Sequence, residues 1–245
     1  MKIVLLPLDE RPVNTRYPRM IGDIAGLEVT IPPAGLLPNL RNAANTNALI
    51  DWLYAEAYDS DGVVASLDLL AYGGLIPSRI SNIRRDQTMI ALHALEDLKQ
   101  TYLGLYVSVF NAITRIPDAN DAIEEPTYWA TYGRRLHRYS QRMHQHLLGE
   151  NVAPDLRLLR DEIPAEHIRD FTLRRLRNHR LNLALIGSVA AGTLDFSVIC
   201  SDDTSVYGYG SQEKAWLQTW ASRFHAEIDD SRLLMYPGAD EVGCV

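Results

Sequence analysis

The sequence predicts an α/β protein built on a parallel sheet. Three observations carry this. Short apolar runs, that at 196–200 rich in β-branched residues, recur at 3–8, 27–31, 63–67, 104–110, 196–200 and 233–236. Helical spacings fill much of the chain between them, and no Asn-Gly hairpin signal joins one run to the next. Strands joined this way run in the same direction, with helices as the crossovers. Six such units fit most of an eight-stranded barrel or an open doubly wound sheet. The chain stops just after the sixth run, so the expectation is an incomplete TIM-like (β/α) barrel, with the open doubly wound sheet as the alternative.

The first run starts almost at residue one and ends at Asp9-Glu10-Arg11-Pro12-Val13-Asn14-Thr15-Arg16. The second is ended by Pro32-Pro33. An Asn-rich stretch, 39–47, leads into a helix through about Tyr58, because Ala48, Leu49, Trp52, Leu53 and Ala57 fall near helical spacing. Asp61-Gly62 is a turn into the third run, which ends at Asp68. The glycines of Leu69-Leu-Ala-Tyr-Gly-Gly-Leu75 predict a loop with unusual backbone angles. Residues 86–100 read as a helix, with Met89, Ile90, Leu92, Leu95 and Leu98 on one face. The fourth run has Asn111 and Arg115 just after it, then the loop 117–121. A long basic helix over 128–148 and a second over 164–191, with Gly192 as its C-cap, form a mostly helical insertion at about 124–191. The fifth run leads into Asp202-Asp203, and Ser211 is placed to cap a helix over about 212–227. The whole reads as a single β/α domain, 1–245, lacking a C-terminal portion.

Composition narrows the function classes. Of 245 residues nearly half are hydrophobic and the formal net charge is −7. That charge disfavours a nucleic-acid or anionic-membrane surface as the main partner, because phosphate binding needs a basic face, so neither is expected. Cys200 and Cys244 imply no disulfide framework. The apolar start is too short for a signal peptide, and no segment is long and apolar enough to cross a membrane. The expected compartment is the cytoplasm. The expected partner is a small-molecule or carbohydrate substrate, and the oligomeric state stays open.

Four of the six runs end in acid: Asp9-Glu10, Asp68, Asp202-Asp203 and Asp240-Glu241. In a parallel sheet those ends lie on one side, so distant residues converge on one polar rim. Arg11, Arg16, Arg79 and Arg115 are placed to balance it, while Tyr72, Tyr207 and Tyr209 offer flat amphipathic surfaces. Two adjacent carboxylates push each other's pKa values apart, which suits an acid/base pair. Asp202 and Asp203 are therefore the catalytic candidates. Asp9, Glu10, Arg11, Asn14, Asp68, Tyr72, Arg79, Arg115, Tyr207, Asp240 and Glu241 are the substrate-binding candidates. Any single Asp or Asn there is as readily a turn or cap residue; the convergence is what argues for a site.

Other motifs are weaker. Gly208-Tyr-Gly210 lacks the third glycine of a dinucleotide fingerprint. His137, His144 and His146 share a helix with four arginines, a pattern of a solvated basic face. Ser66 and Ser201 lack a nucleophile elbow, and Cys200 reads as core.

Five ordered stretches resemble a known bacterial family: Pro7-Leu-Asp-Glu-Arg-Pro-Val-Asn14, Ser66 to Arg79, Arg174-Arg-Leu-Arg-Asn-His179, Ser201-Asp-Asp-Thr204 with Tyr207-Gly208, and Tyr236-Pro-Gly-Ala-Asp-Glu241. The family is domain of unknown function 4127. The resemblance runs over nearly the whole chain and implies that these rim motifs form a shared site. It also implies a longer protein, of which this chain is the N-terminal portion. It supplies no activity.

Three functions remain. The first is a glycoside hydrolase-like enzyme using the Asp202–Asp203 pair, since glycosidic cleavage needs two carboxyl groups. By analogy with retaining N-acetylglucosaminidases, Asp202 would orient an acetamido group, Asp203 would protonate the leaving oxygen, and no cofactor is needed. The second is a divalent-metal hydrolase or lyase, with Asp9, Asp68, Asp202 and Asp240 as oxygen ligands. The third is a non-catalytic sugar- or metabolite-binding module.

Overall fold

The computed structural model describes residues 1–202, 205–224, 228 and 231–239. Among them β1 (Lys2–Leu6), β2 (Glu28–Thr30), β3 (Gly62–Ser66), β4 (Tyr106–Ile113), β5 (Phe196–Ser201) and β6 (Leu233–Pro237) form one all-parallel sheet in the order β2-β1-β3-β4-β5-β6. The parallel α/β expectation holds. The sheet is open, and β2 lies outside β1 instead of between β1 and β3. Of the two arrangements expected, this order is that of the doubly wound sheet.

The helices are α1 (Pro12–Ala25), α2 (Thr46–Ala57), α3 (Leu67–Tyr72), α4 (Leu75–Ile80), α5 (Arg85–Thr101), α6 (Trp129–Leu147), α7 (Ala153–Glu162), α8 (Ala165–Ala190) and α9 (Tyr209–Ala221). Right-handed crossovers put α1 on one side of the sheet, because β1 to β2 steps in the opposite direction from every later connection. Gly22 of α1 meets Val29 of β2 so closely that a Cβ would lie 2.5 Å from the valine methyl.

The two sides are unequal. Val4, Leu6, Val63, Ala65, Val107, Val109 and Ile199 face a continuous core shared with α2, α3, α5, α8 and α9. On the other side Phe110, Val198 and Cys200 gather with Leu8 and Leu75 into a smaller cluster, and Val64, Phe196 and Leu234 stay only partly covered. A third cluster holds α6 and α7 against the start of α8 through Trp129, Leu136, Leu156 and Phe171.

Several elements differ from the sequence reading. The stretch 12–25 is a helix, with Pro12 at its first position and Gly26 closing it at φ 70°; the missing N–H of proline costs nothing there. β4 runs on to Ile113, so Asn111 lies within the strand, where it donates to Asn182 at 2.7 Å. Leu67–Tyr72 is helical, capped by Ser66, and the unusual angles fall on Gly73 (φ 80°) and Gly74 (φ 133°). α9 starts at Tyr209, three residues before the predicted start, and Gly208 rather than Ser211 occupies its N-cap. His144 is buried instead of solvated, and its Nδ1 accepts from the Gly208 amide at 3.3 Å.

Candidate active site

Strand polarity places the carboxyl ends of β1, β3, β4 and β5 along one edge. From β1 the chain turns into α1 on one side of the sheet; from β3 it turns into α3–α5 on the other. Adjacent strands that diverge this way open a crevice beyond their ends, the position where doubly wound folds bind ligands. A cleft of about 140 Å³ lies there, lined by Asp9, Glu10, Arg11, Arg79, Arg115 and Asp202 of the predicted residues. Leu40, Leu75 and Glu124 are among the other residues of its walls. In all, four carboxylates face three guanidiniums.

Each wall is held by its own contacts. Asp9 accepts from the Arg11 backbone at 3.0 Å, from Arg11 Nε at 2.8 Å and Nη2 at 2.7 Å, and from Asn14 Nδ2 at 2.8 Å. The segment 9–14 thus folds around a single carboxylate. Glu10 reaches across to the Leu40 amide at 2.8 Å. Leu40 has φ 49°, a left-handed conformation that a leucine holds only where its surroundings insist on it. The Asn39–Asn42 bridge and Arg41, which donates to the carbonyls of Ala122, Ile123 and Glu125, fix that turn. On the opposite wall Glu124 joins Arg79 at 3.2 Å to Arg115 at 2.5 Å, and Glu125 pairs with buried Arg79 from beneath.

Asp202 extends β5 by one residue, its amide donating to Ile113 O at 3.1 Å. Alternation along the strand puts it in the series Phe196, Val198, Cys200, so its side chain enters the cleft. Behind it lies Asp68, 1% exposed. Its Oδ2 accepts from the Ala112 amide at 2.9 Å. β4 outruns β3, and this carboxylate takes the place of the ladder partner that β3 no longer offers. Burial pushes the Asp68 pKa up to about 7, against the pull of the Ala112 and Ser78 hydrogen bonds, and the nearby Asp202 charge adds to the rise.

Not every predicted residue reaches the cleft. Asn14 is fully buried behind Asp9, which it orients. Tyr72 is 0% exposed with the Arg177 guanidinium 4.6 Å from its ring centre, so its ring cannot meet a ligand. Tyr207 sits against His144 of α6, with ring centres 5.9 Å apart. Asp203, Asp240 and Glu241 lie outside the described residues, as does Cys244. Among the described residues no three His, Cys, Asp or Glu side chains gather closely enough to hold a metal ion, and no helix is long and apolar enough to cross a membrane.

The sequence reading missed Glu124, Glu125, Leu40 and Arg41. The acidic pair was visible, but it follows a strand by more than ten residues, and only the fold brings it back to the cleft. It also missed the role of 174–179. Arg175 holds Glu213 of α9 through two contacts, at 2.8 and 2.5 Å, and caps the Thr114 carbonyl at 2.6 Å. Arg177 and Asn178 both donate to the Ser78 carbonyl. This motif secures the segment that carries Arg79.

Fold and cleft together define an α/β protein with a polar site beyond the carboxyl ends of its strands. The chain belongs to the family described as "Protein of unknown function (DUF4127)", whose family model matches residues 3–245. No curated protein and no solved structure matches it.

Proposed function

We propose that the strand-end cleft is a hydrolase site of glycosidase type, acting on a small glycoside, with an N-acetylated sugar as the favoured substrate class. One observation carries this: Asp202 lines a cleft at the switch between β1 and β3, with the proton-holding Asp68 close enough for their charges to interact. Glycosidic cleavage uses carboxyl groups held in unequal surroundings, and Asp202, at the end of β5 on the cleft wall, is the member of the Asp202–Asp203 pair that this geometry supports. In this reading Asp202 orients the attacking group and Asp203 protonates the leaving oxygen. Arg11 and Arg115 bind sugar hydroxyls, and Asp68 sets the charge behind Asp202.

The test is turnover of p-nitrophenyl glycosides, including the N-acetylglucosaminide, by the chain and by Asp202→Asn. Loss of a positioned acid/base group lowers the rate roughly 10²–10⁴-fold. Full activity in the Asp202→Asn variant, or no turnover of any glycoside by the unaltered chain, ends the proposal. A binding module is the second reading. It is favoured by the way Asp9 and Glu124 are tied up by guanidiniums, and it predicts saturable sugar binding without turnover.

A further inference from the structure

A second cavity, of about 570 Å³, shares no lining residue with the cleft. It lies between α8 and the stretch from Ser81 to Arg85. Its charge is unusual for this chain. Four guanidiniums line it, those of Arg85, Arg174, Arg177 and Arg180, against one carboxylate, Asp170. That carboxylate is already engaged, accepting from Arg174 Nε at 2.7 Å. Arg177 is 8% exposed and spends its donors on the neutral carbonyls of Ser78, Ser81 and Ile83, at 2.5, 2.8 and 3.2 Å. Among the described residues neither Arg177, Arg85 nor Arg180 has a carboxylate within ion-pair distance. Burying a cation without a counter-charge is costly, and here it occurs in a protein whose net charge is −7.

The remaining wall is apolar. Ile83, Leu173, Leu176 and Leu183 line it, and Leu173 and Leu176 keep about half of their surface exposed, at 51% and 57%. His179 also lines the cavity, and its Nδ1 is buried without a hydrogen-bond partner. Arg85 and Arg180, with the buried Arg177 cation beneath them, ask for more than a single negative charge, and the planar forks of Arg85 and Arg180 match phosphate oxygens. The leucines ask for an apolar extension of the same ligand.

We propose that this cavity binds a phosphate monoester carrying an apolar tail. Arg85 and Arg180 take the phosphate at the mouth, Arg177 faces it from the floor, and the leucine wall holds the tail. The same head group occurs on a free metabolite and on phosphatidic acid, and the experiment separates the two.

Calorimetric titration of the full chain with octyl phosphate, inorganic phosphate and octanol is the first arm. Sedimentation with phosphatidic acid vesicles, against phosphatidylcholine vesicles, is the second. Saturable binding of octyl phosphate, at least about tenfold tighter than inorganic phosphate or octanol alone, supports a free metabolite. Binding to phosphatidic acid vesicles without binding of octyl phosphate supports a lipid head group. In either case Arg85→Glu with Arg180→Glu, both on the surface, should weaken binding at least about tenfold while leaving the melting temperature nearly unchanged. No binding in either arm, or a charge-reversed variant that binds as tightly as the unaltered chain, overturns the proposal.

Discussion

Asp68 shows how one buried carboxyl can set the response of the molecule to pH. In the folded chain it keeps its proton up to about pH 7; in an unfolded chain it would lose it near pH 4. Between those values the folded state holds the extra proton, so this group's contribution to stability falls as pH rises and levels off above about 7. Asp68→Asn keeps an oxygen for the Ala112 amide and removes the ionisation. The variant should therefore compare more favourably with the unaltered chain at about pH 8 than at about pH 5, as thermal melts at the two values would report. A buried ion pair behaves differently. Arg175 and Glu213 are both buried and doubly bonded. Removing either partner strands the other charge, so Arg175→Ala should cost about 3–5 kcal/mol in denaturant unfolding.

At the scale of elements, turns decide what the chain can tolerate. Gly26 closes α1 at φ 70° with nothing within 4 Å of a built Cβ. Gly73 closes α3 at φ 80°, and there a Cβ would lie 2.7 Å from the backbone of Ala44. Gly26→Ala should cost only the left-handed penalty, about 1–2 kcal/mol. Gly73→Ala adds a collision that the backbone must absorb, for a total of roughly 3 kcal/mol or more. Urea unfolding of the two variants measures the difference. These turns also explain what the sequence revealed. Gly73 and Gly74 announced their backbone angles, because only glycine adopts them freely. α1 went unread because its buried side is narrow: Asn14, Pro18 and Gly22 are its buried residues, while Tyr17, Met20, Ile21 and Ile24 face outward. A search for an apolar stripe facing a core passes over such a helix. α3 is six residues, too short to show any period.

For the molecule as a whole, strand direction was legible and strand order was not. The alternation of apolar runs with helical spacings fixes parallel pairing, and parallel pairing alone carries Asp9, Glu10, Arg11 and Asp202 to one edge. Whether β2 lies inside or outside β1 depends on which side each crossover packs, and composition does not record that. The cleft owes its position to that choice. Its second wall, Glu124 with Glu125 beneath it, depends on the Arg41 and Arg79 contacts, which join residues more than 40 positions apart. The unequal sides of the sheet give a matched pair of predictions. Leu6 faces the large core with no exposed surface, and Leu6→Ala should cost about 2–5 kcal/mol. Tyr106, on the thinly covered side and 53% exposed, should accept Lys for less than about 1 kcal/mol.

The position of β1 has a further consequence. It is an inner strand, flanked by β2 and β3, so the edge that meets β3 stays open until that strand has been synthesised, some thirty residues after β2. During translation Lys2–Leu6 therefore carries one unpaired edge after β2 has formed. Until β3 closes that edge, the acids of the cleft have no completed sheet end to assemble around.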